Sequence, residues 1–273
     1  MNAQLSRTAS CQHLLCLTTR VARRSGALAM LLALLSLAAV APAAAGEYSV
    51  SPMRIALDRE ARSSVVTLTN SGADRLDFQI TVMEWTQDAE GRDRYAPSGD
   101  VVFFPKILSL QPGESRVVRV GVQAIPVARE RTFRLFIEPI SAPTGQSQSP
   151  GANISVNLRF ALPIFVKPVQ SEAAGAIDAV TLNKGVLTMT LRNSGTEHFR
   201  TDDGIALVGR DAQGNEVFKD RIDSRYVLAG ISKSLSFPIP KGDCARLATL
   251  EILGRTEQFT LSRQLDVNRM SCE

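Results

Sequence analysis

Residues 46–273 hold one histidine, His198, and two cysteines, Cys244 and Cys272. His198 stands in "NSGTEHFRTDDG". A Ser-His-Asp site built on it would need a nucleophile presented on a sharp turn, and no G-x-S-x-G segment occurs. His198 is therefore read as a surface-loop histidine. The cysteines lie far apart, and neither C-x-x-C nor H-x-x-x-H spacing is present, so no metal site is expected. "TDDG" brings Asp202 and Asp203 together, and "DAQGNE" does the same for Asp211, Asn215 and Glu216. Calcium loops need carboxylates at D-x-D-x-D-G spacing. These segments lack it, and turn chemistry accounts for them. No Gly-rich phosphate loop occurs, and aromatic residues make up only 5% of the chain, too few for stacking platforms that hold sugars or bases. The expectation is a non-enzyme without metal or cofactor.

What positions so little chemistry begins after a leader. Arg7, Arg20, Arg23 and Arg24 precede the apolar run "ALAMLLALLSLAAV", Ala27 to Val40, and "APAAA" follows with small residues at Ala43 and Ala45. This is the layout of a secretory signal peptide over residues 1–45. The run of 14 residues is short for a membrane span of about 20. A retained anchor and a twin-arginine route are the alternatives, and "RRSGAL" lacks the aromatic residue usual in the latter. Of the 31 basic residues four are leader arginines, and the leader has no acid, which leaves 27 basic against 27 acidic residues. A formally neutral mature chain gives no ground for nucleic-acid binding. Cys11 and Cys16 leave with the leader. The remaining pair, in an exported chain, is a disulfide candidate; two free buried cysteines are the alternative.

The mature chain reads as β segments broken by turns. "EYSVSPMRIAL", "SVVTLTN" and "LDFQITVMEWTQ" come first, the last ending in a polar hairpin tip, "DAEGRDR". "VVFFPKILSLQPGESRVVRVGVQ" has the form strand, turn, strand, and "TFRLFIEPISAP" follows. "KPVQSEAAGA" interrupts the pattern, which resumes with "IDAVTLNKGVLTMTLRNSG", "IALVGRDAQGNEVFKD", "RYVLAGISKSLSFPIP" and "LATLEILG" to "FTLSRQLDV". Short strands at this spacing predict an all-β fold of two Ig-like sandwiches in series, over 47–167 and 170–273. "VVTLTNSG" and "TMTLRNSG" share a strand-to-turn form, a small echo between the two.

"NISVNLRFALPIFVKP", Asn153 to Pro168, alternates as a strand, with Ile154, Val156, Leu158, Phe160 and Leu162 on one side. Any half-buried strand of a sandwich alternates in this way. Together with "RERTFRLFIEPISAP" before it, the stretch resembles the last two strands of the first domain of periplasmic pilus chaperones of the chaperone–usher pathway. Arg129, Glu130, Phe133 and Ile140 fit the first of those strands. Ile154, Val156, Leu158, Phe165 and Pro168 fit the second. "LSLQPGESRVVRV" is similar to that family's strand–turn–strand motif, and "SVSPMRIALD" to its first strand, with the arginine at Arg54. The resemblance covers most of 48–168.

The resemblance implies a boomerang-like pair of Ig-like domains, a periplasmic location, pilus subunits as clients and an outer-membrane usher as the next partner. Subunits of that pathway lack their last strand. The chaperone lends one of its own, a form of β-augmentation. By that likeness Ile154, Val156, Leu158 and Phe160 fill the subunit groove. Arg54 takes the cation position that grips the subunit's C-terminal carboxylate. A lysine completes the grip in the family, and its place is held here by Pro163, which has no charge. Arg159, Lys167, Lys106 and Arg129 are the replacement candidates. Lys167 is also a candidate for a salt bridge at the domain junction, with Glu138 as its partner. "LRFALPIFVKP" looks more like the archaic branch, with its spore-coat-U-type subunits. Two other readings compete: a pilus subunit, for which "GEYSV" is too short an N-terminal extension, and an exported Ig-like binding module or unrecognised hydrolase.

Overall fold

The computed structural model describes residues 48–273 apart from 89, 124–126, 141–157 and 224–225. The leader and the groove residues Ile154 and Val156 lie outside the described residues. The fold is all-β, two sandwiches within one compact unit, Glu47–Glu273.

Prolines divide two of the expected strands between opposite sheets. β1 (Tyr48–Ser51) pairs with β3 (Ser63–Asn70), whereas β2 (Ile55–Leu57), just beyond Pro52, joins the other sheet. The segment "VVFFPKILSL" breaks in the same way at Pro105. β6 (Val101–Phe104) edges the first sheet and β7 (Ile107–Leu110) pairs with β4 (Leu76–Gln87) in the second. Proline has no N–H to continue a ladder, so each break is a natural point for the chain to change sheets. The first sheet runs β1-β3-β8-β6, with β8 spanning Ser115–Val122. The second runs β2-β10-β9-β4-β5, where β5 is Asp93–Pro97, β9 is Arg131–Pro139 and β10 is Phe160–Val166. Between them lies one core that includes Leu57, Val66, Phe78, Ile80, Val118, Leu135 and Ile164.

The second sandwich packs a three-stranded sheet against a four-stranded one. The former is β11 (Gly175–Asn183), β12 (Val186–Asn193) and β15 (Ser232–Pro238). The latter runs β14 (Glu216–Ile222), β13 (Ile205–Arg210), β16 (Thr249–Arg255) and β17 (Thr260–Asp266). β11 and β12 are joined by Lys184 and Gly185 alone, with φ of 49° and 74°. Two successive left-handed residues are what a tight hairpin matching strand twist requires. A short helix, α1 (Lys241–Cys244), follows β15, and its Cys244 is bridged to Cys272 in the terminal 3-10 turn. The "DAQGNE" carboxylate performs turn work: Asp211 accepts hydrogen bonds from the amides of Gln213 and Asn215 and from the Asn215 side chain.

The echo noted in the sequence is structural. Asn70 and Asn193 are both buried at the ends of their strands. Each accepts the amide of the residue two further on, Gly72 or Gly195. Each donates to the carbonyl four residues on, Asp74 or Glu197, and to a second carbonyl across the sandwich, Leu110 or Val227. A buried amide is tolerated when both its ends are paired, and here the two sandwiches use the same solution.

Candidate functional site

β10 ties the two sandwiches together. Its Phe160, Leu162, Ile164 and Val166 face the first core. Its other face carries Pro163 and Phe165, which are buried as well. That second burial comes from the other sandwich: Trp85 and Phe165 pack with Leu228, flanked by Tyr226 and Ile231. Arg134 lies over the Trp85 ring at 3.8 Å, a cation–π contact. Gln87 of β4 donates to the Tyr226 carbonyl at 2.9 Å and accepts from the Leu228 amide at 3.1 Å.

His198 belongs to this junction. Contrary to the surface-loop expectation, its ring stacks on Phe165 with centroids 3.6 Å apart, and Nδ1 meets Glu130 Oε2 at 2.7 Å. The same oxygen accepts the His198 backbone amide at 2.9 Å. Glu130 has only 2% of its side chain exposed. A carboxylate so deeply covered needs such donors. No local pattern announces this pair, because its members are 68 residues apart.

A cleft of about 160 Å³ opens beside the junction, lined by Arg54, Ala56, Phe165 and Lys167 from the first sandwich and by His198, Arg200, Tyr226 and Glu257 among others from the second. The parallel ladder between β2 and β10 explains who lines it. Ile164 pairs with Ile55 and Val166 with Leu57, all four facing the core. Side chains alternate along a strand, so Arg54 and Ala56 on one chain and Phe165 and Lys167 on the other share the opposite face. Lys167 extends the ladder, its amide donating to the Leu57 carbonyl at 2.9 Å. Of the two sequence-derived cations placed here, Arg54 has Glu257 of the second sandwich 3.9 Å away. Pro163 stands on the same face as Lys167, four residues earlier and buried.

Three expectations are corrected by this geometry. Arg159 is not in the cleft: it pairs with Glu138 and covers the Phe136 ring at 4.0 Å. Glu138 consequently makes no bridge to Lys167. The antiparallel register sets Phe160 against Ile137 and Val166 against Arg131, which leaves Glu138 and Lys167 at opposite ends of β10. Phe160 is held within its own sandwich, its ring 5.4 Å from Tyr48 in an edge-to-face contact. A side chain so engaged is not free for a partner's groove. Of the remaining candidates, Arg129 packs against Gly230 and Lys106 lies near Ile107 and Met83, away from the cleft. Leu158, two residues before Phe160, is 50% exposed, and its carbonyl accepts the Tyr48 hydroxyl.

Residues 47–172, the whole first sandwich with its β10, match the family model of pili and flagellar-assembly chaperones, PapD N-terminal domain. This domain belongs to the pilus-assembly chaperones. Membership of an assembly-chaperone family agrees with a non-enzymatic role. No curated protein matches the chain. Solved structures with this fold include a chain of the chaperone–tip adhesion subunit pre-assembly complex from the archaic chaperone-usher Csu pili of Acinetobacter baumannii. It is 16% identical with a TM-score of 0.54, over 79% of this chaperone and 98% of that chain. A chain of the Salmonella enterica SafA pilin–SafB chaperone complex is 11% identical with a TM-score of 0.53, over 82% and 98%. The YadV chaperone is 10% identical with a TM-score of 0.51, over 81% and 100%. At these identities the likeness is one of fold, and it extends to both sandwiches.

Proposed function

We propose that this pilus-assembly chaperone works in the periplasm after loss of residues 1–45, as a two-domain protein over 47–167 and 170–273. It captures pilus subunits by donor-strand complementation and passes them to an outer-membrane usher. Ile154, Val156 and Leu158 fill the subunit's open groove, while Arg54 and Lys167 hold its terminal carboxylate. The observation that carries the reading is the shared face of the β2–β10 ladder, which brings two cations to one cleft at the end of β10, while exposed Leu158 stands before the strand's other end. Lys167 thus supplies the second charge that Pro163 lacks. The "LRFALPIFVKP" pattern supports an archaic-type client. Burying each groove side chain is worth roughly 1.5–3 kcal/mol. Immobilising two proteins costs several kcal/mol in return. Main-chain pairing, which is blind to sequence, makes up the difference and suits a chaperone with several clients.

The test is periplasmic co-expression with small secreted β-rich proteins encoded beside the chaperone, followed by pull-down. A one-to-one complex is expected. Leu158→Asp abolishes it with the chaperone's melting temperature unchanged, because a carboxylate buried without a partner is costly. Arg54→Ala weakens it at least tenfold, the loss of a charge-assisted pair. Undiminished capture by Leu158→Asp would refute the donor-strand assignment.

A further inference from the structure

The cleft already contains a carboxylate of the chain's own. Glu257 sits at the tip of the β16–β17 turn, and its Oε1 is 3.9 Å from Arg54 Nη1. Both residues line the cleft that also holds Lys167. The turn carrying Glu257 is firmly built. Thr256 exchanges backbone and hydroxyl hydrogen bonds with Phe259, at 2.9 Å and 2.7 Å to its carbonyl and 2.9 Å from its amide. Phe259 in turn packs edge-to-face on Phe199, fixing the turn to the second core. None of these bonds uses the Glu257 side chain. The hairpin therefore fixes the backbone from which Glu257 reaches Arg54, and none of these bonds engages its charge.

We infer that Glu257 is an internal competitor for the anion site: its carboxylate neutralises Arg54 in the free chaperone and is displaced by the client's carboxylate. The inference rests on the carboxylate reading of the cleft given above. Glu257 sets the affinity of that site by offering the same chemistry as the ligand in a weaker geometry. At 3.9 Å with both side chains more than half exposed, the pair is loose enough to exchange. A client carboxylate reaching Arg54 and Lys167 together gains two cations where Glu257 holds one. While the cleft is empty, the competitor screens Arg54 from unrelated anions.

The test uses the mature chain with acetate as the probe and acetamide as its neutral counterpart. Binding is followed by NMR shifts of the Arg54 guanidinium and Lys167 side-chain signals. Acetate shifts both signals, and acetamide shifts neither. Glu257→Gln lowers the half-saturating acetate concentration by up to about fivefold, the scale of an exposed ion pair. The gain shrinks at high salt. In an Arg54→Ala background, Glu257→Gln leaves the Lys167 response as it was. Acetate curves that coincide for wild type and Glu257→Gln, or a weaker response in the variant, would overturn the competitor role and leave the carboxylate site standing. No acetate response at Arg54 or Lys167 in either protein would overturn the site itself, and the inference with it.

Discussion

Single side chains in this chaperone act through what they leave satisfied. Asn70 and Asn193 each hold three backbone groups at the end of a strand. Replacing either by alanine orphans the carbonyls and amide that it serves, at a cost of about 1–3 kcal/mol. Chemical denaturation should therefore report a similar loss for Asn70→Ala and Asn193→Ala, with unchanged slope. A cost near zero at either position would show that the buried amide is not carrying its turn. The "QPGES" motif has an equally physical basis. Gly113 adopts φ of 73°, and Glu114 accepts the Gln111 amide at 2.8 Å. Its carboxyl is lowered by that amide first and by Arg116 second.

Elements divide the work between a strand that belongs to two cores and a clasp that belongs to one. β10 is buried on both faces from Leu162 to Val166, because the second sandwich covers the face a simple sandwich would expose. The same strand carries the cleft residue Phe165 and, one step beyond its end, Lys167, so the junction and the cleft share one rod of backbone. The clasp is Cys244–Cys272, which fastens α1 to the last turn across 28 residues. Opening a loop of that length removes about 3–4 kcal/mol by chain entropy. Cys244→Ser with Cys272→Ser should lower the unfolding free energy of the second sandwich by that amount, and with it its melting temperature, while the first keeps its own transition. An unchanged melting profile would count against the disulfide's holding role.

At the scale of the whole molecule the two sandwiches are joined by Trp85, Phe165 and Leu228, by the Gln87 bonds and by Glu130 with His198. Acid should act unevenly on this assembly. Asp88 loses hydration, which alone would raise its carboxyl, but the Arg92 amide and the Arg92 and Arg94 guanidiniums outweigh this and bring it down to about 2. Asp77 is lowered by Ser109 and Arg75, and Asp100 by Arg131 and Ser98. Carboxyls lowered in the folded state contribute stability that is fully present above their unfolded range near 4 and is lost as pH falls through the folded values. Melting temperature should hold from pH 7 to about 4 and decline toward pH 2, first in the N-terminal sandwich, which holds all three. Calorimetry at pH 7, 4 and 2.5 reads this directly. A flat profile would mean that these pairs contribute nothing.

Much of this protein was legible along the chain. Alternation and turns marked the strands; β4 spans the "LDFQITVMEWTQ" segment residue for residue. The cysteine count pointed to the bridge, and the "QPGES" and "SVSPMRIAL" segments to the family, because these features rest on contacts between near neighbours or on unique pairs. Sequence alone could not tell that Pro52 and Pro105 send their strands to opposite sheets, since a missing N–H says where a ladder stops and not where the chain resumes. Nor could it tell that Phe160 turns inward, that Arg159 takes Glu138, or that His198 meets Glu130. Each of these depends on register and on packing between residues distant in sequence. Only the tertiary fold, by laying β2 parallel to β10 and setting the second sandwich against them, brought Arg54, Lys167 and Glu257 to one cleft.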